Sequence, residues 1–196
     1  TVNGSFRTPR ITNCVTERAA NTYNTVPPET TLPVTTNWFG RHYPDGNSLN
    51  NCLGDQIVLM TSDKDDLHDL ADDLTAAGST AGHIGLAWAW YMLSPSFNYL
   101  WPADHRTRDP LEADAEPVIK ALVLMTDGDF NTAYCNGVVS SDSDSVAGSN
   151  SQRINCTAPE DSTDQALALC ANIKTNNTAN TTLDDIVIYT VGFALD

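Results

Sequence analysis

The chain has few basic residues, and this shortage limits the partners that it can bind. It contains 10 Lys and Arg residues against 25 Asp and Glu residues, which gives a formal net charge of -15 at pH 7. Because nucleic acid and anionic membrane surfaces would repel such a chain at short range, we expect neither as a partner. The length of 196 residues and the hydrophobic content of 41% are nevertheless ordinary for a single folded domain.

Long hydrophobic runs are also missing. No apolar run reaches the roughly 18 residues that a membrane-spanning helix needs, and no signal peptide begins at Thr1. We therefore expect any membrane anchor or export signal to lie upstream of this segment.

Several catalytic and metal-binding motifs are absent. The sequence has no Gly-x-Ser-x-Gly elbow and no phosphate-binding P-loop, so acyl transfer and nucleotide hydrolysis have no candidate residues. Its five cysteines form no Cys-x-x-Cys pair and no Cys/His cluster at zinc spacing, which argues against a zinc-thiolate site.

Disulfide bonds in an oxidising compartment are the favoured interpretation of these cysteines. Cys14 and Cys52 bracket a segment rich in Pro and Asn, while Cys135 and Cys156 bracket a loop rich in Ser and Asp. A disulfide within each pair would staple a stretch too polar to pack by itself. Cys170 is then left free or joined to a residue beyond this segment. The alternative is a cytosolic protein whose cysteines are reduced and buried.

Two polar stretches interrupt an otherwise regular pattern. Residues 1–55 are rich in Thr, Asn and Pro and predict a loop-rich insertion, and residues 136–161 predict a second, polar insertion within the remaining unit, 56–196. The rest of that unit alternates helix and strand, which is typical of an α/β fold with a doubly wound, mostly parallel sheet. The predicted helices lie near residues 65–77, 80–93 and 162–175, and the predicted strands near 56–60, 118–125 and 185–193.

The most informative of these strands ends in acidic residues and glycine. Residues 121–125 carry no polar side chain, which predicts a parallel strand covered on both faces. Thr126, Asp127 and Gly128 follow at its carboxyl end, the edge at which open α/β sheets bind ligands. Asp127 is therefore a candidate for metal or phosphoryl chemistry. The alternative is an ordinary Asp-Gly turn.

A second candidate lies where a predicted buried helix begins. Gly78, Ser79 and Thr80 immediately precede this helix, so their hydroxyl groups lie at a helix start. Such hydroxyls often serve as helix caps. Together with Asp127 at a sheet edge, however, Thr80 supplies the second oxygen donor of a kind that a hard divalent cation prefers. Two loops are thus expected to converge on one ion.

These segments resemble the second half of a von Willebrand factor type A domain in their order and spacing. The resemblance is carried by the loop 78–80, the strand ending at Thr126-Asp127-Gly128 and the later strand 186–193. More narrowly, residues 59–102 and 131–135 are similar to TadG-like pilus-assembly proteins of bacterial Tad/Flp systems. The resemblance covers roughly residues 50 to 196 and implies a Rossmann-like sheet.

The resemblance implies a non-enzymatic function in cell adhesion. Thr80 and Asp127 match the threonine and aspartate of a metal-ion-dependent adhesion site, which holds Mg²⁺ or Mn²⁺, with Ca²⁺ as a further option. The ion would bind an acidic side chain of a protein partner from the pilus or the cell envelope. The family also implies an extracytoplasmic location, in the periplasm or at the cell surface, with the domain anchored upstream.

The resemblance also indicates what this segment lacks. Such a site takes its main ligands from an Asp-x-Ser-x-Ser motif on the first strand, and no such motif precedes Thr80. In the TadG-like family another cysteine follows the last strand, which would explain the unpaired Cys170. We therefore expect a fragment without the first strand and the C-terminal end. Such a fragment would hold the cation weakly, and a companion fragment would complete its sheet.

Two alternatives to metal-dependent adhesion remain open. One is a structural scaffold whose metal site is vestigial. The other is a phosphatase, because Asp127-Gly128-Asp129 after a buried strand resembles the opening motif of haloacid dehalogenase-like enzymes, where Asp127 would attack phosphorus and Asp129 would handle the proton. Against the phosphatase, Asp184 and Asp185 precede the last strand and so fall at the opposite edge of the sheet.

Three side chains on the predicted buried helix invite functional interpretations that we consider weaker than packing. His83 could orient a metal-bound water, but a packed helix histidine is the expected role. Trp88 and Tyr91, together with Trp90 and Trp101, could form an aromatic binding surface. For Trp88 and Tyr91 we expect another role. Because they are three residues apart on one helical face, core packing is expected instead.

Overall fold

The computed structural model describes residues 15, 56–75, 80–108, 118–126, 130, 162–179 and 186–192. In these residues the chain forms helices that alternate with two strands. The α-helices are α1 (Lys64–Asp73), α2 (Gly82–Leu93) and α3 (Ser162–Ala179), and the strands are β1 (Lys120–Thr126) and β2 (Ile186–Gly192). Two short 3₁₀ helices, Pro95–Leu100 and Ala103–His105, follow α2.

The two strands pair in parallel, in a register that runs from Lys120 opposite Ile186 to Thr126 opposite Gly192. Parallel neighbours need a long connection, and α3 lies within the connection from β1 to β2. The mixed helix and strand content and the parallel pairing agree with the predicted α/β class. The doubly wound sheet remains a prediction.

Most predicted helices and strands are present, with small differences at their ends. The helix predicted at 65–77 ends at Asp73, and the helix predicted from Thr80 begins at Gly82. The strand predicted at 56–60 is wrong, because these described residues have no regular secondary structure. Their apolar run fits a strand pattern, but a strand also needs a neighbour for its backbone hydrogen bonds. In the described part of the chain, β1 and β2 pair only with each other.

The core lies between the sheet and the two longer helices. Helix α2 is apolar nearly all round, which is typical of a buried helix. It packs against α3 and β1, and α3 in turn contacts β2. The buried apolar side chains of this core include Leu86, Trp90 and Tyr91 of α2, Leu122 of β1, Leu169 and Ile173 of α3, and Ile186 of β2.

The aromatic side chains around α2 pack as expected. Tyr91 is fully buried and stacks on Phe97, with the ring centroids 4.3 Å apart. Trp88 is partly buried against the core and meets Tyr91 edge to face at 5.8 Å. Its other aromatic neighbour is Trp101, whose ring centroid is 6.2 Å away. The interpretation of Trp88 and Tyr91 as packing residues is therefore confirmed.

Burial of β1 on both faces, however, is a wrong prediction. One face of the sheet carries Leu122 and Ile186, which pack into the core with α2 and α3. Side chains on the other face are exposed, including Val123 at 58% and Met125 at 66%. We call this second face the outer sheet face; in register, it consists of Ala121 opposite Val187, Val123 opposite Tyr189, and Met125 opposite Val191.

The reason for this difference is that the apolar content of a strand does not determine what covers it. The core that buries Leu122 includes residues of both α2 and α3, so both helices pack on that face of the sheet.

Of the helices in the described residues, none is long and apolar enough to cross a membrane.

The predicted insertions lie largely outside the described residues. Within 1–55 only Val15 is described, and it packs against Ile84 near the start of α2. The second insertion, 136–161, lies wholly outside them, as do Cys14, Cys52, Cys135 and Cys156. Cys170 is described and carries a free thiol.

Candidate functional site

Thr80 lies just before helix α2 and is half-buried. The N-cap of α2 is Ala81, which has no polar side chain, and no side-chain cap hydrogen bond is present. Instead, the backbone carbonyl of Ala81 accepts from the N–H of Ile84 at 2.9 Å. The assigned N-cap position of α2 is therefore one residue after Thr80.

The first residue of α2 is in close contact with the segment that follows β1. A β-carbon on Gly82 would overlap the ring of Phe130, so the ring occupies the space that any other side chain at position 82 would need. Phe130 is half-buried and packs against the core. The contact brings the start of α2 and the chain beyond β1 together, four residues after Thr126.

Asp127, the second sequence-predicted ligand, lies outside the described residues, and so does Asp129. Their neighbours are described. Strand β1 ends at Thr126, opposite Gly192 of β2, so both parallel strands end at the same edge of the sheet. After Asp127 and Asp129, Phe130 contacts Gly82 at the start of α2. Gly82 is two residues after Thr80.

A buried polar pair lies one residue further into α2. Nδ1 of His83 and Oγ of Ser162 are hydrogen-bonded at 2.7 Å, and both residues are buried. Ser162 is the first residue of α3, so this pair connects the amino-terminal ends of α2 and α3. The expectation that His83 is a packed helix histidine is confirmed.

Sequence reasoning missed the partner of His83. It predicted the start of a helix at Ser162, but two residues 79 positions apart show no pairing signal in a single sequence. Ser162 and Gln165 match the Ser-x-x-Gln spacing of a capping box, so a local role for Ser162 was visible. The long-range hydrogen bond to His83 was not.

His105 ends the second 3₁₀ helix and Arg106 follows it, and both side chains donate hydrogen bonds to backbone carbonyls. Arg106 donates from Nε to the carbonyl of Trp101 at 2.9 Å. His105 donates from Nδ1 to the carbonyl of Met60 at 2.8 Å, which fixes residue 60 next to this loop.

The described residues offer few ligands for a metal. They contain no group of three or more His, Cys, Asp or Glu side chains that could hold an ion. Of the two predicted ligands, the described residues contain only Thr80 and its hydroxyl oxygen. A centre at this edge therefore depends on the carboxylate of Asp127 and on further oxygen donors.

Comparisons of the chain with protein-family models, with curated proteins and with solved structures gave no match.

Proposed function

We propose that the chain is part of a non-enzymatic, divalent-cation-dependent protein-binding domain of the von Willebrand factor A type, of the kind found in TadG-like pilus-assembly proteins. The proposed ligands in this segment are Thr80 and Asp127. The proposed location is outside the cytoplasm, in the periplasm or at the cell surface.

The observation that carries the proposal is the contact between Phe130 and Gly82. Gly82 is two residues after Thr80, and Phe130 is three residues after Asp127. Since a chain extends at most about 3.6 Å per residue, Thr80 can be at most about 7 Å from Gly82, and Asp127 at most about 11 Å from Phe130. The contact therefore supports the convergence of the two loops that a shared ion requires.

The sheet supports the same arrangement. Strand β1 is parallel to β2 and ends at Thr126, at the carboxyl edge of the sheet, and Asp127 is the next residue in the sequence. In open α/β sheets this is the edge at which ligands bind. Helix α2 packs against both β1 and α3, which fixes the start of α2 relative to the sheet.

The chemistry of the two ligands suits adhesion better than catalysis. A hydroxyl and a carboxylate are both hard oxygen donors, which Mg²⁺ and Mn²⁺ prefer. With few carboxylates around it, the bound cation would remain electrophilic and could accept an acidic side chain from a partner protein. Thr80 and Asp127 would thus hold the ion, and the partner would complete its coordination.

Calorimetric titration of the full-length protein with Mg²⁺, and separately with Mn²⁺, tests the proposal. We expect Asp127→Ala to abolish the heat of binding and Thr80→Ala to weaken the affinity. Asp69→Ala is the matched control, because Asp69 is an exposed carboxylate on α1 that the proposal does not use. Its titration should equal that of the wild type.

Equal heats for the wild type and Asp127→Ala would show that Asp127 is only a turn residue and would reject the metal site. If the protein still bound its envelope partner under those conditions, the scaffold interpretation would replace the proposal. Circular dichroism of each variant checks that folding is intact. We expect it to be, because replacing a polar residue at a sheet edge costs about 1 kcal/mol or less.

A further inference from the structure

Helix α1 stands out because none of its 10 residues is buried. Its start is stabilised locally: Oδ1 of Asp63 accepts from the N–H of Asp65 at 2.9 Å, and Oγ1 of Thr61 accepts from the N–H of Asp63 at 3.0 Å. A cap of this kind contributes about 0.5–2 kcal/mol. Isolated helices of fewer than about 12 residues are marginal in water, so α1 would gain most of its stability from a surface that covers it.

The exposed side of α1 carries an apolar stripe. Leu67, Leu70 and Leu74 follow the alternating spacing of three and four residues that forms the seam between paired helices. Leu67 is 45% exposed and Leu74, the C-cap residue, is 64% exposed. Leu70, between them, is half-buried. We call the three leucines the α1 seam, of which Leu67 and Leu74 are the exposed members.

The charges beside the α1 seam are acidic. Asp66 and Asp73 directly precede Leu67 and Leu74, at the positions that flank the seam in paired helices and form ion pairs with the partner helix. Asp73 also lies four residues after Asp69, where like charges on a helix repel each other.

The carboxyl end of α1 adds to this negative field. Asp72 and Asp73 lie in the last turn, which contains no basic residue. The carboxyl end of a helix carries a partial negative charge, so aspartates there are unfavourable until a cation approaches. A basic partner would reduce the unfavourable interaction of these aspartates with the helix dipole, and also the repulsion between Asp69 and Asp73.

From the seam and its charges together, we propose that α1 is a docking helix for a basic amphipathic helix of a partner protein. Apolar side chains of that helix would pack on the α1 seam, while Lys or Arg side chains would pair with Asp66 and Asp73. Since the seam has only three leucines, the interface is small and its binding transient. The proposal uses no metal and is independent of the proposed function.

The test uses a synthetic helical peptide with leucines along its seam, lysines at the flanking positions and a fluorescent label. Its binding to the full-length protein is measured by fluorescence anisotropy at low and at physiological salt. The seam variant Leu67→Gln/Leu74→Gln should weaken binding by about tenfold or more, since seam leucines supply the apolar burial. Glutamine keeps a helix propensity close to that of leucine.

The charge variant Asp66→Asn/Asp73→Asn should weaken binding at low salt and reduce its salt dependence, because it removes the proposed ion pairs. Two matched controls lie on α3. Leu167→Gln removes a leucine that is also 64% exposed, and Asp164→Asn removes an exposed carboxylate. Neither control should change the affinity, and a peptide with glutamate in place of lysine should not bind.

Affinities unchanged by the seam variant, or lowered equally by Leu167→Gln, would overturn the proposal, since binding would then follow only the net charge of the protein. Light scattering of the wild type and the seam variant tests whether α1 instead pairs with a second copy of the chain. If the seam variant changed the oligomeric state but not the peptide affinity, the occupant of α1 would be a second copy of the chain, and the proposal would be wrong.

Discussion

His83 on α2 and Ser162 on α3 form a buried hydrogen bond of 2.7 Å between residues 79 positions apart. Each residue lies in the first turn of its helix, so the bond fixes the two helix starts relative to each other. Thr80 lies just before the first of these turns. The pair is therefore part of the packing that holds the candidate metal-binding edge in position.

Ser162→Ala should destabilise the full-length protein by about 1–3 kcal/mol, because it removes a buried hydrogen bond to Nδ1 of His83. Chemical denaturation followed by circular dichroism measures the loss. Thr163→Ala, at the exposed next position on α3, is the matched control and should change the stability little. Equal losses in the two variants would mean that the hydrogen bond contributes nothing specific.

Gly82 and Gly85 lie on the same helix and should respond oppositely to alanine. A β-carbon at Gly82 overlaps the ring of Phe130, so Gly82→Ala should cost about 1–3 kcal/mol through overpacking. A β-carbon at Gly85 meets no atom within 4 Å, so Gly85→Ala should stabilise the helix by about 0.5–1 kcal/mol. Thermal unfolding of both variants of the full-length protein decides whether the Phe130 contact forms. Stabilisation by both substitutions would contradict it.

The outer sheet face should bind apolar probes. Val123, Met125 and Tyr189 are all more than half exposed there, and parallel sheets are rarely left uncovered on one face. Residues 1–196 expressed alone should therefore enhance the fluorescence of anilinonaphthalene sulfonate and lack a cooperative thermal transition. Val123→Lys should reduce the dye signal.

The control for this experiment is Leu167→Lys, which alters a single exposed leucine on α3 and should leave most of the dye signal. A sharp, cooperative thermal transition without dye binding would show that the outer sheet face needs no cover.

The parts of the fold that were predicted correctly are those that a short stretch of sequence determines. The run of apolar residues that becomes α2 ends at Ser94-Pro95, and its composition alone indicates a buried helix. The strand at 56–60 was predicted wrongly because its pattern is local while pairing depends on a neighbour. Burial of Val123 failed for a similar reason, since the strand sequence does not say which face α2 and α3 cover.

In the candidate site, too, the local sequence predicted the positions of residues but not their long-range contacts. The position of Thr80 at the start of a buried helix follows from the local sequence, and the structure agrees. The contact of Gly82 with Phe130 does not follow from the local sequence. A glycine at a helix start is an ordinary feature and does not indicate that a distant aromatic ring packs against it. The bond between His83 and Ser162 was equally hidden, since it depends on how two helices pack.

Cys170 should react slowly with alkylating reagents. Burial raises the pKa of its thiol, and the positive charge of Lys174 one turn later on α3 lowers that pKa by a smaller amount. Because the thiolate is the reacting species, a raised pKa leaves less of it at pH 8 than an unperturbed cysteine has. Alkylation of the native protein by iodoacetamide should therefore be slower than that of a cysteine peptide, and its rate should keep rising to a higher pH.

Lys174→Ala should slow the reaction further, because it removes the charge that lowers the pKa, and the pH–rate curve should shift upward. Lys64→Ala, which removes a cation from α1, is the matched control and should leave the curve unchanged. Mass spectrometry of the digested protein identifies which cysteine is labelled at each time. If Cys170 reacted as fast as the peptide, or if Lys174→Ala accelerated its labelling, the half-buried environment of the thiol would not govern its ionisation.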